Sequence, residues 1–182
     1  DYQAGSFKLN SYATGIPAEN NEGLCYDADH HRLLIACKGK TGKGPVLKDK
    51  RLIYAFDLHT KKLVTQPVYQ FNVQLIRQFA DEHQINTAVK SKKRGRSAER
   101  FVKFSTSAIC IHPFSKKLYL LSAADHLLFI FNPDGQIEQI EALDPVKFNK
   151  AEGITFFENG DMLITNEGQD KKPTLFRFNY ND

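Results

Sequence analysis

Three segments of this chain are written in one grammar, and that repetition constrains the fold more than any composition figure. Asn21–Lys38 reads NEGLCYDADHHRLLIACK, Thr106–Ala123 reads TSAICIHPFSKKLYLLSA, and Ala151–Glu167 reads AEGITFFENGDMLITNE. Each has Glu or Ser followed by a small residue, then an apolar run, a turn (DADHH, HPFSKK, FENG) and a second apolar run. Alternation broken by Asp, Asn, Pro or Gly predicts a β-hairpin each time. A third β-rich run follows each hairpin, at Arg51–Leu58, His126–Asn132 and Thr174–Asn179. The first two pass through a turn into a fourth strand, Leu63–Phe71 or Ile137–Leu143.

A four-stranded antiparallel meander that repeats is the sequence form of a β-propeller blade. Ser107 and Glu152, at equivalent points, lie 45 residues apart, a blade's length. Glu22 and Ser107 lie 85 apart, so the first blade is followed by an insertion. The insertion opens with Val73–His83, where Leu75, Ile76 and Phe79 recur at helical spacing. Ser6–Ile16 reads as the fourth strand of an earlier blade, whereas the last blade stops after its third strand. Such complementary ends are how a propeller ring closes and hides its sheet edges.

The expected organisation is therefore all-β. Residues 1–20 form the outer strand of a preceding blade, 21–72 a blade, 73–105 a helical and basic insertion, 106–145 a second blade, and 146–182 a blade lacking its outer strand. At 182 residues this makes about three blades of a probable six-bladed ring. Three do not close a ring, so a missing N-terminal half of the same protein, or a second copy, is the expected partner. Residue 1 is Asp rather than Met, which fits removal of an N-terminal piece.

Composition excludes other classes. With 41% hydrophobic and 25% charged residues the chain is not disordered, collagenous or coiled-coil. No apolar run approaches the ~18 residues that span a bilayer. The net charge of +4 is local: Lys90–Lys103 (KSKKRGRSAERFVK) carries seven basic residues and one acidic, leaving the remainder at about −2. Phe101 is the one aromatic in that loop, so base stacking is poorly supplied, and a solvated insertion is expected over a nucleic-acid site. Cys25, Cys37 and Cys110 show no CxxC pair or metal-ligand spacing and read as structural or inert thiols. A Cys25–Cys37 bridge is conceivable, because the two lie on strands expected to pair.

The candidate site follows from the architecture. The first strand of each blade lines the central channel, and Glu22 and Glu152, each followed by Gly, stand at its mouth, with Ser107 in the same place in the second blade. Glycine lets the backbone approach the crowded axis. Converging carboxylates repel unless protonated, hydrogen-bonded or neutralised by a cation, and Ca²⁺ suits an all-oxygen set. Asn166 and Glu167 stand at the same mouth and add oxygen donors. The alternative is structural: the two Glu tie neighbouring blades, and a Lys38 pairing would favour it. His30–His31 reads as a solvated turn doublet, His112 as a turn residue and Gly39–Gly44 (GKTGKG) as a loop. No GxSxG, P-loop or dinucleotide fingerprint occurs.

Through NNEGLCYD, RLLIACKGK, SAICIHPFSKKLYLLSA and FNKAEGITFFENGDMLITNEGQ the chain resembles the SdiA-regulated domain family of bacterial propellers. The resemblance implies a six-bladed or similar propeller located outside the cytoplasm (periplasm, cell envelope or secreted) and often lipid-anchored. It also implies kinship with calcium-dependent phytases and gluconolactonases, which place acidic and Asn ligands around a divalent ion. Glu22 and Glu152 match the channel-entry Glu-Gly positions, and Asn166 is a partner for them, but a full ligand set is not matched. The function expected is a binding or scaffold module with a site for Ca²⁺ at the channel mouth. The alternative is a metal-dependent hydrolase of phosphate esters or lactones acting at Glu22, Glu152 and Asn166.

Overall fold

Turn chemistry sets the strand lengths. In the computed structural model, which describes residues 5, 8–18, 20–39, 47, 49–87, 89–90, 99–169 and 172–181, six tight turns each place one residue in the left-handed region. Gly135 and Gly160 do so at no steric cost, but His31, Lys61, Lys116 and His126 take the same conformation with φ between 49° and 58°. Side chains hold several of these turns. Asp57 Oδ1 accepts from the His59 and Thr60 amides, and Asn132 Oδ1 from the Gln136 amide. His112 Nδ1 accepts from the Phe114 and Ser115 amides at 3.2 Å, the turn role its place before Pro113 suggested.

The strands assemble into three antiparallel sheets in chain order. The first contains β1 (Asn21–Asp27), β2 (Arg32–Cys37), β3 (Lys50–Asp57), β4 (Lys62–Leu63) and β5 (Tyr69–Asn72). After it come helix α1 (Val73–Glu82) and a short ladder of β6 (Val89–Lys90) with β7 (Glu99–Arg100). The second sheet is β8 (Ala108–Ile111), β9 (Leu118–Ser122), β10 (Leu127–Phe131) and β11 (Ile137–Ala142). The third is β12 (Ala151–Phe156), β13 (Met162–Asn166) and β14 (Thr174–Phe178). β1 packs on β8, and β8 on β12, so the first strands of successive sheets stand side by side. This is the arrangement of propeller blades around an axis, as the repeat predicts.

The second blade is the hub of the core. All five residues of β10, LLFIF, are buried, and alternate ones serve different neighbours. Leu127, Phe129 and Phe131 join a cluster with Leu34, Ile53, Phe71, Phe104 and Ile109, which fuses blades one and two. Leu128 and Ile130 turn the other way and meet Leu121, Phe148 and Ile164 against blade three. A strand buried on both faces reads as a continuous apolar run rather than an alternation.

Four expectations need correction. The described residues of the N-terminal segment, 8–18, form no strand; no described strand edge pairs with them, and Ile16 and Ala18 instead pack beside Cys37, Leu52 and Tyr54. The fourth strand of blade one is split. Val64 and Val68, four residues apart, donate to Ala55 and Ile53, two apart, so the chain around Pro67, which lacks an N–H, bulges out of the ladder. In α1 the buried face is Val73, Ile76 and Ala80, while Leu75 is exposed. Cys25 pairs in register with Leu34 and Cys37 with Asn21, so no Cys25–Cys37 bridge forms and all three thiols are free.

The basic segment divides. Residues 91–98, and with them most of that loop, lie outside the described residues, as do 40–44 of the Gly-Lys loop. Its end is not a solvated loop: Val102 and Phe104 are buried, and Arg77 Nε donates to the Val102 carbonyl and its guanidinium lies over Phe101. Their apolar side chains outweigh the charges before them.

Truncating the centre of the hub tests this packing. Phe129→Ala should cost about 3–5 kcal/mol in urea denaturation. Gly23→Ala should cost about 1–3 kcal/mol, because its Cβ would meet Ile109 Cγ2 at 2.8 Å and Ala36 Cβ at 2.9 Å.

Candidate functional site

Glu22 and Glu152 stand at matching irregularities. The β1–β2 register slips between Asn21↔Cys37 and Gly23↔Ala36, and the β12–β13 register slips between Ala151↔Asn166 and Gly153↔Thr165. Each Glu is thus the extra residue of a β-bulge, a device that re-aims a side chain at a strand end. The following Gly is required by close approach: a Cβ on Gly153 would collide with Thr165 Oγ1. The Glu-Gly pairs of the sequence are therefore one structural element used twice.

Each of these carboxylates already has a cation. Glu22 Oε2 lies 2.6 Å from Lys38 Nζ, and Asn20 Nδ2 donates to its other oxygen at 3.2 Å. Glu152 Oε1 lies 3.3 Å from Lys150 Nζ, which also pairs with Glu167. Hydrogen bonds to Glu167 and Glu152 hold the Lys150 ammonium above its ordinary pKa, and the Lys150 bond holds the Glu167 carboxyl below its own. Lys38 follows the second strand of blade one and Lys150 precedes the first strand of blade three, so the two rim pairs share chemistry without sharing sequence position.

Ser107, at the matching point of blade two, is buried, and its Oγ lies 2.8 Å from the Ala151 carbonyl, to which it donates. It thereby links blade two to blade three. Asn166 is buried beside Glu167, and neither its amide oxygen nor its nitrogen has a partner. The four residues named as metal ligands thus divide: Glu22 belongs to one ion pair, Glu152 and Glu167 to another, and Asn166 to none. Among the described residues no three carboxylate, thiol or imidazole groups gather as a metal site requires. The set as it stands does not fit Ca²⁺, because ammonium groups occupy the places next to the carboxylates.

Two features escaped sequence reasoning. Asp125 is buried and accepts from the Lys103 amide at 2.8 Å, the Phe104 amide at 2.9 Å and Ser122 Oγ at 2.5 Å. On the other side of that segment, Arg51 donates to the Phe104 and Lys103 carbonyls. Residues 103–104 are clamped from both blades beside the mouth. At the opposite ends of the inner strands His112, Tyr119, Phe156 and Tyr180 form an aromatic cluster around a cavity of about 150 Å³. Burial and then Lys117 lower the His112 pKa. The His30–His31 doublet stays in its turn, with His30 against Asp27 and His31 against Tyr26.

No family model matches the chain, and no curated protein matches it. Solved structures do. A luciferin-regenerating enzyme matches with a TM-score of 0.53 and 10% identity, over 90% of this chain and 46% of that one. A streptogramin B lyase matches at 0.48 and 12%, over 94% and 44%. A PQQ-bound aldose sugar dehydrogenase from Streptomyces coelicolor matches at 0.45 and 11%, over 88% and 43%. At such identity the first likeness bears on fold alone, and the other two scores are too low to argue from. The chain is a partial β-propeller and spans less than half the length of these structures.

The charge pairing of the blades has an acid limit. Burial pushes the Asp27 carboxyl up, but Arg32 at 2.8 Å and His30 hold it below its ordinary value of 3.8. A depressed carboxylate contributes stability that is present above its unfolded pKa and lost as pH falls through the folded one. Stability should therefore decline as pH drops below about 4, and the decline should be shallower in Asp27→Asn, read from urea midpoints between pH 5 and 2.5.

Proposed function

We propose that this chain is part of an extracytoplasmic propeller that serves as a binding or scaffold module, its ligand meeting a channel mouth of pre-paired charges. The observation that carries this reading is that the rim carboxylates are already compensated, Glu22 by Lys38 and both Glu152 and Glu167 by Lys150. Such a rim presents donors and acceptors together, which suits a polar or zwitterionic ligand better than a bare cation. The extracytoplasmic placement rests on the family resemblance of the EGLCYD, SAICIHP and AEGI segments.

The reading includes a partner that completes the ring, either further blades of the same protein or a second copy. On β1 the side chains turned away from blade two, Leu24 and Tyr26, are exposed, as is Leu175 on β14, on the face opposite the one by which Phe176 and Phe178 meet Phe148. In a ring these faces abut neighbouring blades.

A second reading, the metal-dependent hydrolase of phosphate esters or lactones, is favoured by Asn166, whose buried amide lacks partners. For a divalent cation to join it, Lys150 would have to leave Glu152 and Glu167.

Thermal melting with Ca²⁺ and with chelator, followed by a hydrolase panel, separates the two. The binding module gives no turnover and no Ca²⁺ shift in the native protein. In Lys150→Met, which leaves Glu152 and Glu167 without their ammonium, Ca²⁺ should raise the melting midpoint by a few degrees, about 2–5 °C. A Ca²⁺ shift in the native protein together with turnover would replace this reading with the hydrolase.

A further inference from the structure

Five residues along from the rim positions Glu22 and Ser107 stand Asp27 and His112, at the far ends of the inner strands of blades one and two. Asp27 is fully engaged by Arg32 and His30. His112 is buried, with 3% of its surface exposed, yet half of its ring is unengaged. Nδ1 accepts from the Phe114 and Ser115 amides, so the proton of the neutral imidazole sits on Nε2. That N–H has no partner among the described residues, and the ring lines the cavity of about 150 Å³. A buried donor without an acceptor carries a desolvation cost that a bound acceptor relieves.

The remaining walls are apolar and aromatic, made by Tyr119, Phe156, Met162, Phe178 and Tyr180. They are held in place independently of any ligand. Asp161 Oδ1 accepts from the Tyr180 amide at 2.8 Å. Beside the Tyr180 ring, Gly160 has φ +87° and no room for a Cβ, which would lie 2.8 Å from Tyr180 Cγ. The Phe156 ring meets Tyr119 edge to face, with centroids 4.9 Å apart. Phe178 and Tyr180 are themselves exposed, so the cavity opens to solvent beside them.

We propose that this cavity is a binding site for a neutral compound of one aromatic ring bearing a carbonyl group, the carbonyl oxygen accepting from His112 Nε2–H. Volume sets the ring, because roughly 150 Å³ is the size at which an apolar cavity takes up benzene. The aromatic faces and edges and the Met162 thioether favour a planar aromatic over an aliphatic ring of the same size. The lone donor sets the substituent. A cation would meet the positive end of the N–H dipole, and burial together with Lys117 already lowers the His112 pKa. A carboxylate would lose its hydration against apolar walls. The cavity lies at the ends of the inner strands opposite the rim carboxylates, so its ligand is distinct from one at the channel mouth.

Benzamide is the probe, with toluene, cyclohexanecarboxamide and tetramethylammonium as comparisons. Titrated into the native chain, benzamide should bind with a Kd on the order of 1 mM and displace the His112 Nε2 resonance in ¹⁵N NMR spectra. Toluene and cyclohexanecarboxamide should each bind about fivefold more weakly, and tetramethylammonium should not bind. His112→Asn keeps the turn, because Oδ1 accepts from the same amides, but removes the donor. It should weaken benzamide about fivefold to tenfold and leave toluene unchanged. If that variant does not fold, the displacement of the ring nitrogen in the native protein decides alone. Benzamide binding without that displacement, equal affinity for toluene, or a preference for tetramethylammonium overturns the proposal, as does no binding at about 10 mM benzamide.

Discussion

Everything in this structure depends on how blade one is joined to blade two across a long insertion. The junction is Phe104, fully buried among Phe71, Phe129 and Phe131, with its ring centroid 4.7 Å from that of Phe129. Burying such a ring brings a polar backbone inside, and an unpaired buried amide or carbonyl would offset much of the gain. Asp125 takes the two amides and Arg51 the two carbonyls of residues 103–104, so the segment enters the core without an orphan group. That clamp fixes the return of the chain to β8, and β8 sets the spacing of the inner strands on either side.

With the inner strands fixed, the channel wall is built in levels. The rim level holds Glu22, Ser107 and Glu152, and three residues along lie Cys25, Cys110 and Thr155. The same bulge delivers the rim Glu in blades one and three, and Gly23 and Gly153 permit the close contacts it creates. Blade two departs from the pattern, and its Ser107 spends its hydroxyl on the next blade's backbone. The wall is therefore a repeated scaffold carrying different chemistry at each blade.

Much of this was legible in the sequence because it is local. Hairpin breaks, the apolar run of β10 and the equivalence of Glu22 with Glu152 all follow from residues close in the chain. What was not legible depends on distant pairs. Phe104 lies beside a run of basic residues, and nothing local marks it as core; only Asp125, 21 residues later, explains it. Lys38 and Lys150 reach similar carboxylates from different strand ends, so no repeat aligns them. The Cys25–Cys37 bridge failed because cross-strand register, not strand pairing alone, decides which side chains meet.

The central claim is that blades one and two form one cooperative body held by the Phe104 clamp. Native-state hydrogen exchange with increasing denaturant tests it directly. The amides of Leu34 on β2 and Leu120 on β9 should converge on a single opening free energy, and Asp125→Ala should lower both together. Two separate openings, with only blade two responding to the Asp125 change, would contradict it.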